Sequence, residues 1–117
     1  MKDPRILLQY ILECADRVED YLEDVQWKDF LDDSLIQDAV FRRLEVIGQA
    51  VKDLPAGVRN QHAGVPWREI AGMRDKLSHD YLGIDLEITW HAAKQDLPEF
   101  RKQVEGILEQ MGEGDFS

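Results

Sequence analysis

Apolar residues in this chain return in steps of three and four, segment after segment, and that spacing limits the fold more than any other feature. In the first segment Leu7, Tyr10 or Ile11, Cys14, Val18, Tyr21 or Leu22, and Val25 set the pattern. Side chains at those intervals share one helix face, so the stripe predicts a long amphipathic helix over about residues 4–25. Asp3 and Pro4 supply its cap and its first-turn proline. Trp27 to Asp33 reads as a connector with a short helical turn carrying Trp27 and Phe30. A second stripe, Leu35 or Ile36, Ala39 or Val40, Leu44, Ile47 and Val51, begins at a cap on Asp33 or Ser34 and ends near Lys52. Gly48 interrupts it at a cost of roughly 1 kcal/mol relative to alanine. A glycine kept there predicts close approach of another backbone, at a helix–helix or dimer contact.

The rest of the chain repeats the theme. Leu54 to Gly57 closes the second helix, and the stretch to Val65 reads as a loop with one turn and an exposed His62. Trp67, Ile70, Met73 and Leu77 mark a central helix from about Pro66 to about Leu82, with Gly83 suited to the position just past its end. Asp85 caps the next helix. Asp96 and Glu99 form a second start signal around Pro98, which reads as a kink or restart. Trp90 and His91 read as packing and surface residues. Leu97, Phe100, Val104, Ile107 or Leu108, and Met111 carry the stripe to a stop at Gly112, leaving residues 113–117 as a frayed tail. No segment alternates as a strand does, and no repeat is visible. The expectation is an all-α, antiparallel bundle of four to five helices, a single domain over residues 1–117.

Composition limits function. A chain of 117 residues with 44% hydrophobic and 32% charged residues describes one soluble globular domain. No apolar run reaches the eighteen or so residues of a membrane span, and no signal-peptide pattern opens the chain. A cytoplasmic location with no membrane partner follows as the expectation. The single cysteine, Cys14, excludes an internal disulfide and reads as an inert buried thiol. The acidic face of the first helix, Glu13 to Asp24, reads as solvated rather than metal-binding. A net charge of −10 argues against a broad grip on nucleic acid but leaves room for a local basic site.

Such a site is visible between Arg74 and Tyr81. Arg74 offers a planar, permanently charged fork that fits a phosphate. His79 can take and give a proton near neutral pH, and Tyr81 brings a hydroxyl. Asp75, Lys76, Ser78 and Asp80 flank them. Five residues turn a regular helix through about 140–150°, so Arg74 and His79 do not share a face. They meet only if the helix loosens near His79 or if a second copy of the chain supplies one of them. Taken alone, Arg-x4-His is a weak pattern, and an arginine and a histidine near a helix end more often serve as salt-bridge or cap residues.

The residues around the pair carry more. Pro66-Trp67-Arg68-Glu69-Ile70-Ala71-Gly72-Met73-Arg74, then His79-x-Tyr81, then Gly83-Ile84-Asp85-Leu86-x-Ile88-x-Trp90, resembles the signature of the HepT-like family, also called DUF86, in the HEPN superfamily. Leu44 to Ala50 and Asp96-Leu97-Pro98 fit the same pattern, so the resemblance runs from about Asp38 to about Phe100. Gln49 departs from it, standing where the family pattern has a glutamate that could orient the arginine or histidine.

The resemblance implies a HEPN-like helical bundle that forms a twofold homodimer. It implies a metal-independent endoribonuclease without cofactor, with Arg74 and His79 catalytic. It further implies the toxin of a type VII HepT/MNT toxin–antitoxin pair, with an MNT-type nucleotidyltransferase as antitoxin that adenylylates Tyr81. The competing reading is a non-catalytic helical module that docks such a nucleotidyltransferase, and the acidic surface favours it.

Overall fold

Helices form where the local sequence can both start and stripe them. The computed structural model describes residues 3–79 and 83–115. Helix α1 spans Pro4–Tyr21, α2 Trp27–Leu31, α3 Ser34–Asp53, α4 Ala56–Gln61, α5 Trp67–Ala71, α6 Met73–Leu77, α7 Leu86–His91 and α8 Leu97–Asp115. Between α6 and α7 lie two-residue strands, β1 Ser78–His79 and β2 Gly83–Ile84, paired antiparallel with Ser78 opposite Ile84 and His79 opposite Gly83. The protein is therefore mostly helical, as the stripes predict, with one small paired segment that they do not.

Three aspartates open helices as expected. Asp3 accepts from the Arg5 amide at 2.9 Å, Asp33 from the Ile36 amide at 3.2 Å, and Asp85 from the Ile88 amide at 3.0 Å. Each removes one of the unpaired amides that every helix start exposes. Helix α1 stops at Tyr21, short of the expected Val25, because Asp24 takes a left-handed backbone with φ 60° that a helix does not continue.

The long helices α1, α3 and α8 enclose the core. Leu8, Ile11 and Val18 of α1 meet Val40, Leu44, Ile47 and Val51 of α3 and Phe100 and Val104 of α8, all essentially removed from solvent. Burial of each is worth roughly 1.5–3 kcal/mol relative to exposure, which makes this seam the main source of stability. Helices α1 and α3 run antiparallel: Arg43 reaches Cys14 at 3.8 Å, while Leu7 and Tyr10 lie beside Gln49 and Ala50. Cys14 is fully buried, as expected. Arg101 of α8 reaches back to Asp16 of α1 at 2.7 Å, and that carboxylate, with Glu105, raises its already high pKa. Trp27, Phe30 and Trp90 cluster with centroids 5.1–6.2 Å apart, the Trp90 ring tilted against the other two, fastening α2 to α7.

Several expectations are corrected. Residues 56–61 form a helix rather than a loop, and His62 ends it half-buried, its carbonyl accepting from the Trp67 indole at 3.0 Å. The central helix is broken at Gly72 and ends at Leu77, well before Leu82. A helix does start after Asp96, at Leu97, but Asp96 ends a helical turn rather than capping a free start. A π-helical turn, Ala92–Asp96, carries α7 into α8 with helical backbone on both sides, so Pro98 falls in the first turn of α8. The wider turn accommodates a proline that can neither donate to a carbonyl one turn back nor tolerate its close approach. Gly112 does not stop α8, which continues to Asp115.

Candidate functional site

The break in the central helix positions the candidate site. Gly72 has no side chain to support helical backbone, and its amide turns to the Arg68 and Ile70 carbonyls. Helix α6 then runs for five residues and puts Arg74 in its first turn. At Ser78 the backbone becomes extended, with ψ 146°. The Ser78 hydroxyl donates to the Arg74 carbonyl at 2.7 Å, and the Asp85 amide donates to the Leu77 carbonyl at 2.7 Å. Both bonds satisfy carbonyls that a helix end leaves open.

His79 is thus not in the last turn of a helix. Its backbone lies in β1, opposite Gly83, whose φ of +119° is a conformation reserved for glycine. The angular obstacle of a regular helix between Arg74 and His79 disappears, because only the first four of those residues are helical. His79 enters here through its backbone alone. Asp80 and Tyr81, a flanking residue and the candidate modification site, lie outside the described residues.

Gly48 explains how this segment is carried. A Cβ on Gly48 would stand 3.0 Å from the Ile70 carbonyl oxygen and 3.5 Å from that of Ala71. The glycine therefore lets α5 lie directly on α3, the helix–helix alternative of the two contacts expected for it. Leu77, fully buried, and Met73 fix α6 to the core, leaving the opposite face of α6 to solvent.

Arg74 lies on that open face. Its side chain is 69% exposed, yet its Nε is 3.0 Å from Oε2 of Glu45 on α3. The other oxygen of Glu45 accepts from Arg42 Nη1 at 2.9 Å. Glu45 itself is only 21% exposed, so a largely covered carboxylate holds two open guanidinium groups. A groove of about 580 Å³ runs beside them, lined among others by Tyr10, Gln49 and Lys52.

Gln49 lies one turn beyond Glu45 and donates through its amide to Asp53 at 3.2 Å. The departure at Gln49 therefore leaves Arg74 with a carboxylate partner, since Glu45 provides it. The sequence reading missed Glu45. The available signal was its position on α3, one turn before Gln49 and three residues after Arg42. Asp75 and Lys76 are exposed. Among the described residues, no group of three or more histidine, cysteine, aspartate or glutamate side chains is placed to hold a metal ion. No helix of the described residues is long and apolar enough to cross a membrane.

A family model for ribonuclease HepT-like proteins matches residues 11–107. A candidate RNase of Caldanaerobacter subterraneus subsp. tengcongensis is 43% identical over 109 residues, which is 93% of this chain and 97% of that protein. A candidate ribonuclease HepT of Thermococcus cleftensis is 40% identical over 100 residues, 86% of this chain and 91% of its own. A third relative, from Methanocaldococcus jannaschii, joins a gamma-glutamylcyclotransferase and a candidate RNase in its name. It is 41% identical over 110 residues, and there the matched region covers 94% of this chain but 50% of the relative. No solved structure matches the chain.

Proposed function

This chain belongs to the ribonuclease HepT-like family, and from that premise we propose that it is an endoribonuclease working without a metal ion, with Arg74 and His79 as its catalytic pair. The observation that carries the reading is the state of Arg74, tethered by Glu45 yet 69% open to solvent, five residues before His79 within the matched region. An arginine held by one ion pair and otherwise open leaves donors accessible to a phosphate, which supports the reading.

In the proposed reaction the 2′-hydroxyl of the substrate attacks the adjacent phosphorus and the bond to the 5′-oxygen breaks. The products are a 2′,3′-cyclic phosphate and a free 5′-hydroxyl. His79 takes the proton from the 2′-hydroxyl and returns one to the leaving oxygen, while Arg74 faces the charge that builds on the non-bridging oxygens. Proton transfer by a placed side chain contributes about 10²–10⁴-fold, so His79→Ala should lose at least about a hundredfold in rate. Cleavage of labelled RNA by purified protein tests this, with Arg74→Ala and His79→Ala as the inactive arms and unchanged helicity as the control.

The family resemblance extends the proposal to a homodimeric toxin paired with an MNT-type nucleotidyltransferase. Attack of the Tyr81 oxygen on the α-phosphorus of ATP, with release of pyrophosphate, would place an adenylate two residues from His79. The added negative charge and bulk would compete with RNA for Arg74. Mass spectrometry after incubation with the partner and ATP tests it, and Tyr81→Phe should escape neutralisation. The second reading, a binding module without catalysis, is supported by the net charge of −10. It predicts partner binding with no RNA cleavage in the same assay.

A further inference from the structure

We propose that the groove beside Arg74 is a second phosphate subsite, in which Arg42 holds the phosphate next to the scissile one and Tyr10 offers its ring to the neighbouring base. The proposal deepens the ribonuclease reading and rests on it for the identity of the ligand, a single RNA strand.

Arg42 and Arg74 come from different helices and sit on opposite oxygens of one carboxylate, at 2.9 and 3.0 Å. Two positive charges share one negative charge, so the cluster carries a local surplus of positive charge on a chain whose net charge is −10. Both guanidinium groups remain about 70% exposed. Glu45 therefore orients two phosphate-binding forks in advance, which lowers the ordering cost of binding. One carboxylate separates them, within reach of adjacent phosphates of one strand.

Lys52 and Gln49 line the same groove as the two arginines. Asp53, also in the lining, accepts from the Gln49 amide. Tyr10, 40% exposed on α1, lines the same groove. A basic track with an aromatic face beside it is the arrangement that grips single strands through phosphates and stacked bases, with little sequence preference. The ordinary fate of an i,i+3 pair such as Arg42 with Glu45 is a surface salt bridge of little consequence, and the experiment must separate the two.

Fluorescence anisotropy with a short 2′-O-methyl oligoribonucleotide, which lacks the nucleophile, reads binding without cleavage. Arg42→Ala should weaken binding roughly tenfold, as expected for a lost charge-assisted hydrogen bond. It should also flatten the dependence of log affinity on log salt by about 0.7. Tyr10→Ala should weaken binding with the salt slope unchanged, and Lys28→Ala, at an exposed position of α2, should alter neither. Wild-type affinity and slope in Arg42→Ala would overturn the subsite. So would dissociation of a dimer by Arg42→Ala, which would make the groove a contact between copies. If the wild type binds the probe through Arg42 but cleaves no RNA, the ribonuclease reading fails and the subsite stands. If it cleaves RNA and Arg42→Ala does so equally well, only the subsite fails.

Discussion

At the scale of single residues, Glu45 decides what Arg74 can do. An exposed ion pair contributes only about 0–1 kcal/mol to folding, so its worth lies in aim rather than stability. Glu45→Gln keeps the shape and removes the charge that fixes the guanidinium. Steady-state kinetics should show kcat falling about tenfold or more, with KM unchanged or lower, since an acid has left a phosphate site. Glu45→Asp should restore part of kcat. A purely structural Glu45 would instead shift the melting temperature and leave that split absent. Glu45 stands in the Leu44–Ala50 segment, one turn before Gln49, but its pairing with Arg74 could not be read along the chain, because only the fold sets α6 beside α3. Arg74 itself was legible as a basic fork among Trp67, Ile70, Met73 and Leu77, but its exposure was not: on a regular helix it falls four residues after Ile70 and three before Leu77, on the apolar stripe, and the helix is instead broken at Gly72.

At the scale of elements, the long helices and their starts could be read because stripes and aspartate caps are local. The end of the central helix could not. Gly83 looks like a helix stop, yet the chain leaves the helix at Ser78, whose hydroxyl competes for the Arg74 carbonyl, and Gly83 serves β2 instead. Pro98 was readable as a restart, and α8 does begin at Leu97; the π turn that joins it to α7 without a break was not, since nothing local marks it. Gly83→Ala puts a Cβ on a backbone with φ +119°, a strain of about 1–3 kcal/mol. The β1–β2 pair is short enough to open locally, so the expected outcome is a fall in RNA cleavage larger than the fall in melting temperature. Equal losses would tie the pair to global folding instead. Gly48→Ala tests the α3–α5 contact. Helix propensity favours alanine by about 1 kcal/mol, whereas crowding the Ile70 carbonyl at 3.0 Å costs about 1–3 kcal/mol. Thermal unfolding should show net destabilisation of about 1 kcal/mol; a stabilised variant would mean that α5 yields easily.

At the scale of the whole molecule, the proposed homodimer is the arrangement that would bring two Arg74–Tyr81 segments towards one cleft. The end of α6 at Leu77 removes one reason for it, since Arg74 and His79 no longer need separate copies to escape a helix's geometry. Family membership and the exposed Ile6, at 61%, and Leu35, at 79%, remain in its favour. A biological interface should bury more than about 1,000 Å² in total. Sedimentation at micromolar concentration should give a dimer, and a fully active monomer would contradict it. The central claim is chemical, and one assay addresses it most directly: purified protein with labelled RNA in excess EDTA, beside the same strand with a single 2′-deoxy residue at the cleaved position. Cleavage of the first should be undiminished, the second should resist at that position, and His79→Ala should be inactive on both. Loss of cleavage in EDTA, or equal cleavage of the 2′-deoxy strand, would contradict that claim.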